Sequence, residues 1–147
     1  MPDELKLAAT GPIGMEGLPG AAAELINQSK GLLVWLLKGE MGAGKTTLVK
    51  HVVAQWGVDA SVSSPTFSIV NQYGTAGGQV VYHFDLFRLK DEAEAFDIGM
   101  EEYLISGNVC LVEWPEKLER LRPDQYFEVH IQHHDPLTRK IYYRRHD

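Results

Sequence analysis

Gly39-Glu40-Met41-Gly42-Ala43-Gly44-Lys45-Thr46 follows the pattern GxxxxGK(S/T), whose residue types divide the work of gripping a chain of phosphates. Glycine at Gly39, Gly42 and Gly44 permits φ > 0 and removes the Cβ that would hold a ligand away from the backbone, so successive N–H groups can converge on anionic oxygens. Lys45 would reach the β and γ phosphates, and the Thr46 hydroxyl would complete a Mg²⁺ shell. A helix starting near Lys45 would aim its positive end at the same point.

A phosphate loop of this kind needs a carboxylate at the end of a neighbouring strand to hold Mg²⁺ directly or through water. Asp85 closes the run Val80-Val81-Tyr82-His83-Phe84, and Glu113 closes Val109-Cys110-Leu111-Val112. Each alone reads as an ordinary acid at a strand terminus; beside a phosphate loop, both become candidates. Two acids permit a division of labour, one on the metal and one orienting water or tuning the metal's shell, and spacing does not assign which is which. His83 alternates with Asp85 on one strand face and is expected to approach the nucleotide.

The elements that must position these residues follow from the apolar pattern. Residues 32–37 are apolar at every position, as in a strand covered on both faces at the centre of an α/β sheet. Residues 47–56 place Leu48, Val52, Val53 and Trp56 near helical spacing, with Gly57 as the stop. Before them, residues 11–20 read as a loop and 21–29 as a short helix ended by Gly31. Residues 68–73 and 79–85, joined by the turn residues 74–78, predict an antiparallel hairpin. Helical pieces are expected at 91–95 and 100–105, a short strand at 109–113, and two more strands at 126–132 and 140–144 around a turn at 135–138. The fold class is therefore α/β: a P-loop NTPase-like central sheet flanked by helices, with antiparallel hairpin elements.

At 147 residues the chain has room for one hydrophobic core, so residues 1–147 are read as a single domain. Its composition, 44% hydrophobic and 23% charged, is that of a soluble globular protein, and no apolar run is long enough to span a bilayer. Residues 1–10 carry Asp3, Glu4 and Lys6 and do not resemble a secretory signal, which makes the cytoplasm the expected compartment. Cys110 is the only cysteine, and its apolar neighbours make it a small buried hydrophobe. A net charge of −6 argues against a protein that coats nucleic acid by itself; any RNA contact would be local or partner-assisted.

Residues 39–47, Ser64-Pro65-Thr66-Phe67 with Tyr73 beyond it, His83-Phe84-Asp85-Leu86-Phe87-Arg88-Leu89 and Glu113-Trp114-Pro115-Glu116 occur in the order and spacing of the TsaE (YjeE) family. The chain resembles that family from about residue 20 to about residue 125. The resemblance implies a single P-loop ATPase domain with weak ATP hydrolysis. It also implies work with the proteins TsaB and TsaD in forming threonylcarbamoyladenosine at adenosine 37 of tRNAs, the tRNA being met indirectly or through the complex. Residue by residue, it carries the metal role to Thr46 and Asp85, sets Glu113 beside the metal, and makes Ser64-Pro65-Thr66 a nucleotide-responsive switch. The expected site is therefore Gly39, Glu40, Met41, Gly42, Ala43, Gly44, Lys45, Thr46 and Thr47 on ATP. Thr46, Asp85 and Glu113 are expected on Mg²⁺, with Asp85 and Glu113 catalytic. Phe87 stands where the family usually has tyrosine, removing any hydroxyl role there, and Met41 replaces the usual leucine without consequence. After Asp124 no motif matches.

Other classes fit less well. A small-molecule P-loop kinase, the alternative, usually needs an arginine-bearing lid, and between Lys45 and Arg120 only Arg88 and Arg120 are available. A GTPase would need an (N/T)KxD motif, which is absent. A nucleotide-binding adaptor that never hydrolyses ranks below slow hydrolysis because of Asp85 and Glu113. Trp114 reads either as a stacking surface or as a strand-end core residue. Arg88 reads as a structural salt bridge ahead of a catalytic group. His130, His133 and His134 lack metal-ligand spacing and read as a solvated strand end. Arg139, Lys140, Arg144 and Arg145 read as a solvated edge strand rather than an RNA contact.

Overall fold

The computed structural model describes residues 5–58 and 69–147. The expected switch Ser64-Pro65-Thr66 lies outside the described residues. Among the described residues, seven strands form one mixed sheet: β1 (Lys6–Leu7), β2 (Val34–Lys38), β3 (Val70–Gly74), β4 (Val80–Asp85), β5 (Val109–Glu113), β6 (Tyr126–Asp135) and β7 (Thr138–His146), in spatial order β1-β7-β6-β2-β5-β4-β3. β4, β5, β2 and β6 run parallel, and β3, β7 and β1 are added antiparallel at the two sides.

β2 is apolar at every position because it sits between β5 and β6 with both faces covered, and Val34, Trp35, Leu36 and Leu37 are all buried. Trp35 and Leu37 point to the face covered by α1 (Leu18–Gln28) and α2 (Lys45–Gln55), while Val34 and Leu36 point to the opposite core. Trp35 meets Phe127 and Trp56 edge-on at ring-centroid distances of 4.9 and 6.0 Å. α1 begins at Leu18, earlier than the sequence pattern suggests, because Pro19 suits the first turn of a helix, where no N–H partner is needed. α2 buries Leu48, Val49, Val52 and Val53, and Gly57 ends it at φ 79°. A side chain at Gly57 would also strike Ala76, whose Cβ would lie at 2.5 Å.

On the opposite face, α3 (Glu92–Asp97), α4 (Met100–Leu104) and a 3-10 turn (Pro115–Leu121) cover β4 and β5. Asp91 caps α3, its Oδ1 accepting from the Glu94 N–H at 3.1 Å. Cys110 is buried in this core and burial pushes its thiol up to about 12, which leaves it protonated and inert.

The C-terminal half corrects two expectations. β7 is not an edge strand, because β1 pairs with its outer side, Lys6 opposite Tyr143. The basic residues on it also divide by face. Arg145 donates to the carbonyls of Gln28 and Lys30 at 2.7 and 2.8 Å and so ties the end of α1 to the sheet. Arg144 donates to Glu128 from the other side at 3.1 Å.

Candidate functional site

β2 runs directly into the phosphate loop, and Gly44 is the N-cap of α2. Gly42 and Gly44 hold φ of 78° and 106°, the left-handed region that other residues enter at a cost. Gly39 is glycine for a different reason than expected. It has no positive φ, and a Cβ there would lie 2.8 Å from the backbone oxygen of Ile131, so the loop could not lie against β6. Glu40 and Met41 are exposed on the loop's outer turn, Ala43 is buried beneath it, and Thr46 and Thr47 lie in the first turn of α2.

Lys45 is 5% exposed. Its Nζ donates to the carbonyl of Gly39 and lies 3.7 Å from the ring centroid of Trp114. Burial lowers the ammonium's pKa, opposed by the charges of Glu113, Glu116 and Asp85. Trp114 reaches this position from a left-handed backbone, φ 58° and ψ 53°, immediately before Pro115, and packs against Phe87 at 5.0 Å. Its stacking partner within the chain is thus a cation, neither a base nor the core alone.

The parallel register sets Leu37 beside Glu113 and Glu113 beside Asp85, so the carboxyl ends of β2, β5 and β4 bring the loop and both acids together. Here the structure separates two acids that spacing left equivalent. Glu113 is 3% exposed, and its Oε2 accepts from Thr46 Oγ1 at 3.0 Å and lies 2.6 Å from Nε2 of His83. Asp85 is half-buried, and its Oδ1 accepts from the Phe87 N–H at 3.0 Å. His83, expected to approach the nucleotide, meets Glu113 through Nε2. Only the strand register, which sequence periodicity does not supply, shows this pairing.

These oxygen donors suit a hard cation. Among the described residues no group of three or more His, Cys, Asp and Glu converges as a metal cage. A cation held by one hydroxyl, one or two carboxylates and the ligand's own phosphates matches that set; an all-protein metal centre does not.

Among the described residues, two cavities flank the loop. One, about 240 Å³, lies against Gly42, Gly44 and Thr47 and is walled by Ile13, Leu18 and Leu137. The other, about 750 Å³, lies between Gly39, Glu40, Met41, Trp114 and His130. Arg139 closes the first: its Nε donates to the Ala43 carbonyl at 3.1 Å, while its backbone exchanges hydrogen bonds of 2.8 and 2.9 Å with Ile13. The sequence reading took Arg139 for a solvated residue; nothing local signals a bond to a loop so far away in the chain. His130 is likewise not a free strand end. With His146, Arg144 and Lys38 it surrounds Glu128, which is 2% exposed. Burial alone would raise the Glu128 carboxyl, but the hydrogen bonds from His130, His146 and Arg144 and the charge of Lys38 hold it well below the usual carboxylate range.

A strand, a GxxxxGKT loop, a helix, and acids at the ends of adjacent parallel strands define an α/β domain of the P-loop NTPase type. The family model described as "Threonylcarbamoyl adenosine biosynthesis protein TsaE" matches residues 15–141, and the chain belongs to that family. The match runs past the resemblance seen in sequence and takes in most of the β6–β7 hairpin. The chain is 37% identical over 110 residues to the tRNA threonylcarbamoyladenosine biosynthesis protein TsaE of Haemophilus influenzae, covering 75% of this chain and 68% of that protein. It is 38% identical over 108 residues to the protein of the same name in Bacillus subtilis, covering 74% and 66%. The match thus spans about two thirds of the length of these relatives. The crystal structure of Bacillus subtilis YdiB superposes with a TM-score of 0.74 at 26% identity, covering 98% of this chain and 88% of that one.

Proposed function

We propose that this chain binds ATP with Mg²⁺, hydrolyses it slowly, and acts as a nucleotide switch on the TsaB and TsaD proteins in threonylcarbamoylation of adenosine 37 in tRNA. The observation that carries the ATPase reading is the hydrogen bond from Thr46 to Glu113, which joins the loop's hydroxyl to a strand-end acid. The names of the relatives support the tRNA pathway.

The backbone N–H groups around Gly42 to Thr47 receive the phosphates, and Lys45 exchanges the Gly39 carbonyl and the Trp114 ring for them. Thr46, Asp85 and Glu113 would hold Mg²⁺, which would supply neutralisation of phosphate charge. Glu113, fixed on one oxygen, orients the attacking water. The apolar cavity beside Thr47 takes the base, with Ile13 and Leu137 as its walls. The kinase alternative loses a lid candidate, since Arg120 is held by Glu92 at 3.0 Å. No helix among the described residues is long and apolar enough to cross a membrane.

Calorimetric titration with ATP and ADP, with and without Mg²⁺, tests the binding. Phosphate release, alone and with TsaB, TsaD and tRNA, tests the switch. Turnover far below the ~10 s⁻¹ of a median enzyme is expected for the isolated protein, with a changed rate in the complex. A protein that binds no ATP would end this reading.

A further inference from the structure

His83 is fully buried, and its ring is more than packing. Its Nε2 lies 2.6 Å from Glu113 Oε2, the same oxygen that accepts the Thr46 hydroxyl at 3.0 Å. Among the described residues its Nδ1 is buried with no hydrogen-bond partner. A ring kept only to fill the core is better replaced by an apolar side chain of similar volume, which strands no polar atom.

The terminal torsion of glutamate is broad, so a carboxylate held by one donor still turns. Two donors from different elements, Thr46 on α2 and His83 on β4, pin one oxygen and leave the other with a fixed direction. The parallel pairing of β4 and β5, His83 beside Leu111 and Asp85 beside Glu113, holds the imidazole at this height, and Tyr73 of β3 stacks alongside it at 6.4 Å. We infer that His83 is a positioning residue for ATP hydrolysis: its Nε2–H and the Thr46 hydroxyl together fix Oε2 of Glu113, reserving Oε1 for the attacking water or the metal's shell. This rests on the ATPase reading above.

The test uses the full chain as wild type, His83→Ala, His83→Gln, Glu113→Gln and the double variant His83→Ala/Glu113→Gln. In His83→Ala, calorimetric ATP affinity stays within about threefold while turnover falls about ten- to a hundredfold, the pattern of lost orientation rather than lost binding. The gain in ATP affinity that Mg²⁺ brings also shrinks. His83→Gln, whose side-chain amide offers an N–H from the same strand position, recovers most of both. In the Glu113→Gln background, His83→Ala removes little further turnover, because the two side chains act as a unit. Additive losses in the double variant, or equal losses in the alanine and glutamine variants with unfolding midpoints unchanged, overturn the proposal.

A proton NMR spectrum of the nucleotide-free protein supplies a readout independent of turnover and of any variant of His83. A low-field imidazole N–H signal is expected in wild type and is expected to shift in Glu113→Gln; its absence in wild type or its persistence unshifted overturns the proposal. Should wild type bind no ATP while that signal is present, the ATPase reading fails and the His83–Glu113 contact stands.

Discussion

Lys45 is the residue whose present partners the proposed phosphates would displace. Its ammonium is buried, with a carbonyl and an indole face as partners. Phosphate oxygens offer a stronger, charge-assisted partner. Lys45→Ala is expected to weaken ATP binding by about ten- to a hundredfold, the equivalent of one or two charged hydrogen bonds. Calorimetry reads this directly, and unchanged affinity would refute the phosphate-loop assignment. Asp85→Asn keeps shape and removes one charge, and its Oδ1 can still accept from Phe87. Loss of Mg²⁺-dependent turnover is expected with the unfolding midpoint within a few degrees of wild type. A wild-type Mg²⁺ titration would show Asp85 to be a surface acid.

At the scale of elements, the phosphate loop is braced from both sides. Gly39 lies against Ile131 of β6, and Ala43 accepts from Arg139 at the start of β7. The β6–β7 hairpin thus does more than extend the sheet: it shapes the loop and walls the apolar cavity with Leu137 and Ile141. Arg139→Met keeps the stem and deletes the donor, leaving the Ala43 carbonyl without this bond. Nucleotide affinity is expected to drop about threefold to tenfold, the equivalent of one ordinary hydrogen bond, with Lys45 and Thr46 untouched. Fluorescent-nucleotide titration measures it; affinity equal to wild type would leave Arg139 a purely structural link between the hairpin and Ile13.

At the scale of the molecule, the two sheet faces carry different burdens. One is covered by α1 and α2 and holds the site; the other is covered by α3, α4 and the 115–121 turn, with the Glu128 cluster over β6 and β7. Because the folded carboxyl of Glu128 is depressed, its contribution to stability is present above the unfolded value near 4.5 and is lost as pH falls through the folded value. Glu128→Gln is expected to destabilise the fold by about 1–3 kcal/mol at neutral pH. Its deficit against wild type is expected to narrow below pH 4.5 in urea melts, and a constant deficit across that range would contradict the linkage. The proposed switch is tested at the same scale. Assembly with TsaB and TsaD should favour ATP or a non-hydrolysable analogue over ADP, because only differential affinity shifts an equilibrium. Equal partner affinities at matched Mg²⁺ would leave a γ-phosphate switch without a driving force.

The sequence by itself determined the local and the repeated. The glycine-lysine-threonine spacing of residues 39–46 is legible because the residues that would act together are adjacent in the chain, and the unbroken apolar run of β2 declares a doubly covered strand. Strand ends at Asp85 and Glu113 were legible for the same reason. Tertiary structure decided which acid serves which partner, since the His83–Glu113 and Thr46–Glu113 contacts depend on the register of parallel strands joined by long connections. It also decided that Gly39 answers to Ile131, that Arg139 answers to Ala43, and that β7 is an interior strand with a short partner at Lys6–Leu7. Periodicity records which face of an element is buried. The distances between elements arise only when the sheet assembles and long-range hydrogen bonds select one register.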